Sequence, residues 1–224
     1  MPPSWEGDYN DLAIRAATDH PDRFAIMGRF DLGDSSNAAL LPKWTQQTGM
    51  LGIRVSFLMP HQRQWLVDQS IDWFWAAAEE ADIPLMVLPP DQIPAIDRIA
   101  ERHPKLRMII DHLAMTSTRK DSEAFATVED LYCLARHPNV AVKVSALPCY
   151  TTDLYPFPSV HPYIERVLTE FGPDRVFWGT DLSRLPCTYR ECVTFFTEAL
   201  PFLSGNAQDK VMGQGICDWL GWPY

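Results

Sequence analysis

The chain has 224 residues, of which 46% are hydrophobic and 21% charged, and it carries a formal net charge of -10 with a sequence pI near 5.0. These values are ordinary for a globular protein, and we expect residues 1–224 to form a single domain around one core. The acidic balance and the lack of a basic run argue against nucleic acid or an anionic membrane as the main partner.

The cysteines and the N-terminal segment favour a cytoplasmic protein. The five cysteines are an odd number and form no CxxC or Cys/His cluster, which is typical of reduced thiols. The opening segment MPPSWEGDYND has no apolar core of the kind found in signal peptides. No apolar stretch reaches the ~18 residues that a membrane-spanning helix needs.

Helical patterns and apolar runs alternate along the chain. The predicted helices are residues 8–19, 37–47, 64–81, 92–102, 121–135, 160–171, 190–199 and 209–220. The predicted strands are residues 24–30, 52–57, 84–88, 107–111, 140–145 and 176–178. Strands that are each followed by a helix predict βαβ units and a parallel sheet. No GxGxxG turn occurs, which argues against a dinucleotide-binding sheet. An α/β fold of the (β/α)8 TIM-barrel type fits better, here incomplete with about six parallel strands.

Two of the predicted strands end in titratable residues. The apolar run at 108–110 is followed by Asp111 and His112, and the run at 176–178 leads to Asp181. In a parallel barrel the C-terminal ends of the strands line one mouth, where active sites are found. We therefore expect one shared site at this end of the sheet.

Several segments together carry a resemblance to a known family. They are, in chain order, GIRVSF, PLMVLPPD, RMIIDHLA, VAVKVSAL, RVFWGTDLSRLP and DKVMGQGICDWLGW. From about Ser4 to Trp222 the chain resembles the amidohydrolase-related (amidohydrolase 2) family. That family contains metal-dependent hydrolases, decarboxylases and pyrone-dicarboxylate lactonase-like enzymes, all on a (β/α)8 barrel. The resemblance implies a hydrolase, closest in character to the lactonase-like branch.

The chain departs from the family pattern in two places. Relatives carry an HxH pair on their first strand, and no HxH occurs here. The resemblance thus implies a barrel that lacks strands 1 and 2, with Met1 a misassigned start or the gene truncated. Metal-dependent members also tend to place a His ligand where Leu88 and Pro89 stand. His112 and Asp181 would supply only two ligands, whereas zinc sites usually have three plus water. The lactonase-like branch works without metal, and the chain resembles it in this respect. If a divalent ion such as zinc is bound in a full-length form, His112 and Asp181 are its candidate ligands.

The two candidate catalytic residues are Asp181 and His112. A carboxylate at a strand end can act as a general base for water, and the alternative is an Asp that caps the next turn. An imidazole there can polarise a substrate carbonyl, and the alternative is a core His bonded to backbone. Asp111 precedes His112, and because strand neighbours point to opposite faces we expect Asp111 to be structural and outside the site.

Four basic residues are candidates for binding substrate. Arg54, Lys143 and Arg29 lie inside predicted strands, and Arg184 follows Asp181 in the loop after the last strand. Each can bind a substrate carboxylate, and the alternative is an internal ion pair or, for Arg184, simple solvation. Weaker candidates at the same mouth are Ser145, Tyr150 and His61. The tryptophans of the predicted helix 64–81 are expected to pack mostly inward.

These observations lead to one main hypothesis and two alternatives. The main one is a hydrolase that cleaves a lactone, ester or amide bond of a small carboxylated substrate, with Asp181 activating water. The first alternative is a metal-dependent decarboxylase or hydrolase of the same family. The second is an inactive, truncated barrel with unpaired sheet edges. The oligomeric state stays open, with a homodimer as one candidate, since dimers are common among such barrels.

Overall fold

Six strands form one parallel sheet in the computed structural model, which describes residues 2, 7–116 and 118–223. The strands are β1 (Ile26–Arg29), β2 (Met50–Ser56), β3 (Leu85–Leu88), β4 (Met108–Ile110), β5 (Val140–Ser145) and β6 (Val176–Gly179). Each strand pairs with the next one along the chain, so the spatial order is the sequence order. The predicted incomplete TIM-barrel type of fold with six parallel strands is confirmed.

Helical segments connect the strands. The α-helices are α1 (Asp11–Asp19), α2 (Pro60–Val67), α3 (Asp72–Glu80), α4 (Ile93–Arg102), α5 (Asp121–Phe125), α6 (Val128–Leu131), α7 (His161–Phe171), α8 (Tyr189–Thr197), α9 (Gly205–Asp209) and α10 (Gly215–Leu220). The 3-10 segments are Ser35–Gln46, Asp111–Ala114, Tyr132–Arg136, Leu147–Tyr150, Pro158–Val160, Pro173–Arg175 and Leu182–Arg184, and Lys210–Gln214 is a π-helical turn. Among the described residues, no helix is long and apolar enough to cross a lipid bilayer.

The predicted long helix at 64–81 is wrong, because the chain forms two helices there. α2 ends at Val67 and α3 begins at Asp72. Between them Gln69 has a left-handed backbone with a φ of 61°, and Asp68 Oδ1 accepts a 3.0 Å hydrogen bond from the Ser70 backbone. This local aspartate turn competes with the helical hydrogen bonds and breaks the helix.

Two other predicted helices are also interrupted. Residues 121–135 divide into α5, α6 and a 3-10 segment, and residues 209–220 are divided by the π-helical turn. The expected inward packing of the aromatic residues is confirmed. Phe74 and Trp75 of α3 are fully buried, while Trp65 and Trp73 are partly buried against the core.

The two faces of the sheet are covered differently. One face packs against the helices in the large core, with Ile53, Val87 and Val142 fully buried there. The other face carries a small inner cluster made of Met27, Met86, Ile109, Ala141 and Phe177, against which Ile216, Trp219 and Leu220 of α10 pack. Side chains alternate along a strand, so the residues two positions further on share the inner face. These positions include Arg29 and Lys143, and the inner face becomes charged towards the C-terminal ends of the strands.

Candidate active site

His112 is the second residue after β4, where the chain leaves the sheet. Its backbone is left-handed, with a φ of 52°. The side chain is 3% exposed, and its Nδ1 atom lies 2.8 Å from the hydroxyl of Ser145, the last residue of β5. Burial lowers the pKa of His112 to about 4, so the imidazole is neutral at neutral pH.

Asp181 follows β6 and lies beside His112. Its Oδ2 accepts a 3.0 Å hydrogen bond from Arg184 Nη1 and lies 3.5 Å from His112 Nε2. The second distance exceeds the ~2.7–3.2 Å of an N–H···O hydrogen bond, and the neutral imidazole makes no ion pair. The carboxylate favours the tautomer of His112 with its proton on Nε2, in which case the Ser145 hydroxyl donates to Nδ1. The Asp181 side chain is 24% exposed, so water can reach it.

Arg184 is held in place by the residues around it. Its Nη2 donates to the Tyr150 hydroxyl at 3.3 Å, and its guanidinium carbon lies 5.4 Å from the centre of that ring. The Cys149 thiol donates to the Arg184 carbonyl oxygen at 2.8 Å. Tyr150 is fully buried, and burial raises the pKa of its hydroxyl. Arg184 therefore fixes one oxygen of Asp181 in a defined position.

Asp111 is fully buried and forms internal ion pairs, as expected of a structural residue, but contrary to expectation it belongs to the same charged cluster. Arg54 Nε donates to its Oδ2 at 3.0 Å, and Lys143 Nζ lies 3.1 Å from its Oδ1 with an angle outside hydrogen-bond geometry. Burial alone would raise the pKa of Asp111, but the charges of Lys143 and Arg54 lower it below its usual range. The prediction that Asp111 and His112 face apart is wrong, because β4 ends at Ile110 and strand alternation stops there.

Lys143 and Arg54 thus have an internal partner, which is one of the two alternatives that the sequence left open for them. Their side chains are 12% and 10% exposed. Lys143 also approaches β6, since a Cβ at Gly179 would lie 3.3 Å from its Cε. Its ammonium group therefore lies close to the strand that leads to Asp181, where it can act on a substrate bound there.

Arg29 lies at the other side of the site, on β1. It pairs in register with Arg54, so both side chains leave the same face of the sheet. Both line a cleft of about 200 Å³, together with His61, Gln62 and Trp65 from α2. His61 therefore faces the site end of the sheet, as the sequence indicated, and its ring contacts Trp65 with 5.3 Å between the ring centres.

The structure brings the six predicted site residues into two connected groups. Asp181, His112 and Arg184 form one group. Arg29, Arg54 and Lys143 form the other, which is joined to the first through Asp111 beside His112. Sequence reasoning gave too little weight to Ser145 and excluded Asp111. Ser145 ends a strand at the same mouth, and three basic residues in buried strands require a buried acid.

The described residues do not form a three-ligand zinc site. Zinc prefers His, Cys or carboxylate ligands, with three of them in catalytic sites. At the strand ends that the structure describes, His112 Nε2 lies 3.5 Å from Asp181 Oδ2, and the other carboxylate there, Asp111, contacts the cations Arg54 and Lys143. In the described part of the chain, no group of three potential ligands is close enough to hold a metal ion.

Comparisons with known proteins agree with this architecture. The chain is 29% identical over 206 residues to L-fucono-1,5-lactonase of Burkholderia ambifaria, which covers 86% of this chain and 69% of the lactonase. An amidohydrolase from Burkholderia multivorans with bound zinc superposes with a TM-score of 0.82 at 22% identity, over 96% of this chain and 79% of that one. A candidate 2-pyrone-4,6-dicarboxylic acid hydrolase from Pseudomonas putida gives a TM-score of 0.76 at 18% identity, over 99% and 81%.

The family model for amidohydrolases matches residues 5–215, nearly the whole chain. A 5-carboxyvanillate decarboxylase from Sphingomonas paucimobilis shares the fold, with a TM-score of 0.69 at 17% identity over 95% of this chain and 71% of that one. The family match and the lactonase relative agree with the position of His112 and Asp181 at the C-terminal strand ends, where barrels of this type have their active sites. The chain belongs to the amidohydrolase family and is a hydrolase built on a TIM-barrel type of fold.

Proposed function

We propose that this protein hydrolyses a small lactone with a six-membered ring, and that Asp181 is the general base. The observation that carries this proposal is the Asp181 carboxylate at the mouth of the sheet, held by Arg184 and facing the neutral imidazole of His112. The lactonase relative acts, by its name, on a 1,5-lactone, which has a six-membered ring. Similarity to that relative favours a cyclic ester as the substrate of this chain, over an amide or a decarboxylation substrate.

The first step would be the addition of water to the lactone carbonyl. Asp181 accepts a proton from water while the water oxygen forms a bond to the carbonyl carbon, and the C=O electron pair moves to oxygen. His112 can donate from Nε2 to this oxygen, and Lys143 adds a nearby positive charge. Groups that are already oriented before the reaction stabilise such an oxyanion most effectively, and both side chains are held by internal contacts.

The second step would open the ring. The electron pair on the former carbonyl oxygen re-forms the C=O bond, and the bond between the carbonyl carbon and the ring oxygen breaks. The leaving alkoxide takes the proton that Asp181 had accepted, which restores the carboxylate. The product is a hydroxy acid, and its ionisation at neutral pH releases one proton per turnover.

The test is a proton-release assay with δ-valerolactone and sugar δ-lactones as substrates. We expect turnover by the wild-type chain and a decrease in kcat of about 100- to 10,000-fold for Asp181→Asn, since this is the usual contribution of a general base. Asp22→Asn is the matched control, because the Asp22 side chain is exposed and precedes the N-terminal end of β1, and it should retain full activity. Asp181→Asn with wild-type kcat would refute the role of the residue.

A metal-dependent reaction is the second candidate, favoured by the zinc in the related Burkholderia multivorans structure. Metal analysis of the purified protein distinguishes the two. One equivalent of zinc, together with loss of turnover on chelation and recovery on zinc addition, would favour this alternative. A folded protein that turns over no lactone with or without zinc would favour the inactive barrel instead.

A further inference from the structure

A cleft of about 200 Å³ opens at the C-terminal ends of β1 and β2. Arg54 connects it to the proposed reaction centre, because the same side chain lines the cleft and donates to Asp111, the neighbour of His112. The residues that line it are Asp8, Arg29, Phe30, Asp31, Leu32, Arg54, Val55, Ser56, His61, Gln62 and Trp65. A substrate bound at Asp181 could therefore extend a substituent along the wall of the sheet into this cleft.

Arg29 differs from the other basic residues of the site in having unused donors. Its Nε and Nη1 atoms are buried and have no hydrogen-bond partner among the described residues. Its backbone is fixed on both sides by Asn10, whose Oδ1 accepts from Arg29 N at 2.8 Å and whose Nδ2 donates to Arg29 O at 3.0 Å. Buried donors of a charged group are costly to leave unpaired, so this side chain is built to meet an acceptor.

The charges around the cleft favour an anion as that acceptor. Arg29 and Arg54 are register partners on neighbouring strands, so their positive groups lie side by side. Burial and the charge of Arg54 lower the pKa of Arg29, and the charge of Asp8 partly opposes them. Of the two acids at the cleft, Asp31 uses its carboxylate on the Gly33 backbone at 2.7 Å, and Asp8 is exposed. A bound anion would relieve the repulsion between the two guanidinium groups.

The remaining cations of the site already have carboxylate partners. Arg184 donates to Asp181, and Lys143 contacts Asp111. Arg54 donates from its Nε atom to Asp111 and also lines the cleft. An anionic substituent would therefore meet the strongest unsatisfied positive potential at Arg29 and Arg54.

We propose that Arg29 and Arg54 form a subsite for an anionic group of the substrate, a carboxylate or a phosphate, beside the ester that is hydrolysed. This inference rests on the proposed lactonase function and narrows it to lactones that carry an anionic substituent. Arg29 is the residue that determines this preference, and it takes no part in the bond-breaking steps.

Binding is measured first, because it does not depend on turnover. Isothermal titration calorimetry with glutarate and, separately, with inorganic phosphate compares the wild type, Arg29→Gln and Arg23→Gln. We expect the Kd of the preferred anion to rise about tenfold or more in Arg29→Gln, the usual loss for hydrogen bonds to a charged group. Arg23 is a matched control with a side chain that is 75% exposed, and Arg23→Gln should bind like the wild type. The two probes distinguish a carboxylate from a phosphate site.

Kinetics test the link to the substrate. For Arg29→Gln, the KM of a ring-carboxylated δ-lactone should rise about tenfold more than the KM of neutral δ-valerolactone, with little change in kcat for the carboxylated substrate. If Arg29→Gln unfolds, Arg29→Lys replaces it, since lysine keeps the charge but loses the planar fork. We expect several-fold weaker binding for Arg29→Lys.

The outcomes separate this inference from the proposed function. Equal anion affinity in the wild type and Arg29→Gln, with lactone turnover present, would overturn the subsite and leave the lactonase proposal standing. Anion binding that depends on Arg29, without turnover of any lactone, would support the subsite and refute the lactonase proposal.

Discussion

The basic side chains of the site divide by whether an internal carboxylate neutralises them. Arg54 and Lys143 both contact the fully buried Asp111, and Arg184 contacts Asp181. Arg29 Nε and Nη1 have no hydrogen-bond partner among the described residues, and the exposed Asp8 acts on Arg29 only as a neighbouring charge. All four residues look alike in sequence as basic side chains near apolar strands. The three residues that contact a carboxylate stabilise the site, whereas Arg29 is available to bind a ligand.

Asp111→Asn should strongly destabilise the protein. The substitution keeps the shape of the side chain but leaves Arg54 and Lys143 buried without a negative partner, which typically costs about 3–5 kcal/mol. Urea unfolding followed by circular dichroism measures the loss. Asp82→Asn is the control, because Asp82 also pairs with an arginine but is 82% exposed, and its loss should stay below about 1 kcal/mol. Equal effects of the two substitutions would contradict the buried role of Asp111.

At the scale of elements, the turns that follow the strands decide which side chains meet. β4 ends one residue before Asp111, and the next residues adopt left-handed backbones that turn His112 towards Ser145. β6 ends at Gly179, and Asp181, two residues later, is likewise left-handed. The loop after it carries Arg184 and leads into α8, so the start of α8 anchors the loop that holds the proposed base.

Thr188→Ala should destabilise α8 and with it this anchor. Thr188 Oγ1 accepts from the Glu191 backbone at 3.1 Å, and Glu191 Oε2 accepts from the Thr188 backbone at 2.8 Å. Loss of such a capping box costs about 1 kcal/mol, which lowers Tm by roughly 2–4 °C in a protein of this size. Thr169→Ala removes an exposed threonine from the last turn of α7 and should leave Tm unchanged or slightly higher. A greater loss for Thr169→Ala would contradict the cap as the cause.

At the scale of the whole molecule, the inner face of the sheet is divided along the strand direction. The part nearer the N-terminal ends of the strands is filled by the small inner cluster and by Ile216, Trp219 and Leu220 of α10. The part at the C-terminal ends of the strands carries charged groups that are largely buried, with Asp111 fully buried and His112 nearly so. Burial of the apolar part stabilises the sheet. In the largely buried charged part, each charged group needs an oppositely charged partner or a bound ligand.

Burial of neutral His112 should make the protein less stable in mild acid. Its pKa in the folded state is lowered to about 4 from a reference value of 6.5, so the unfolded chain binds the additional proton between these two values. Stability is therefore highest above pH 6.5 and decreases as the pH falls towards 4. Between pH 7 and pH 5 this one group removes about 2 kcal/mol of unfolding free energy.

The measurement is urea unfolding of the wild type and His112→Gln at the two pH values. Titratable groups away from the site contribute equally to both proteins, so the comparison reports on His112 together with its contacts to Asp111 and Asp181. The variant should lose about 2 kcal/mol less than the wild type between the two pH values. Identical losses would show that His112 is protonated in the folded protein or accessible to water.

Much of the fold and part of the candidate site could be predicted from the sequence. The six strands appear close to their predicted positions because buried parallel strands are continuous apolar runs, and this pattern is local. The long helix predicted at 64–81 was wrong, since the left-handed Gln69 and the Asp68 turn leave only a weak composition signal. The pairing of Asp111 with Arg54 and Lys143 joins residues far apart in the chain, and no local pattern contains it.

The sequence by itself determined the parallel α/β architecture, the amidohydrolase resemblance and the two strand-end residues His112 and Asp181, because each depends on the order of residues within one segment. Only the tertiary structure decided which cation is neutralised and which one faces an open cleft. The physical reason is that the electrostatics of a buried charge depend on neighbours from other strands and on their distance, and these are set when the sheet curls and its strand ends meet.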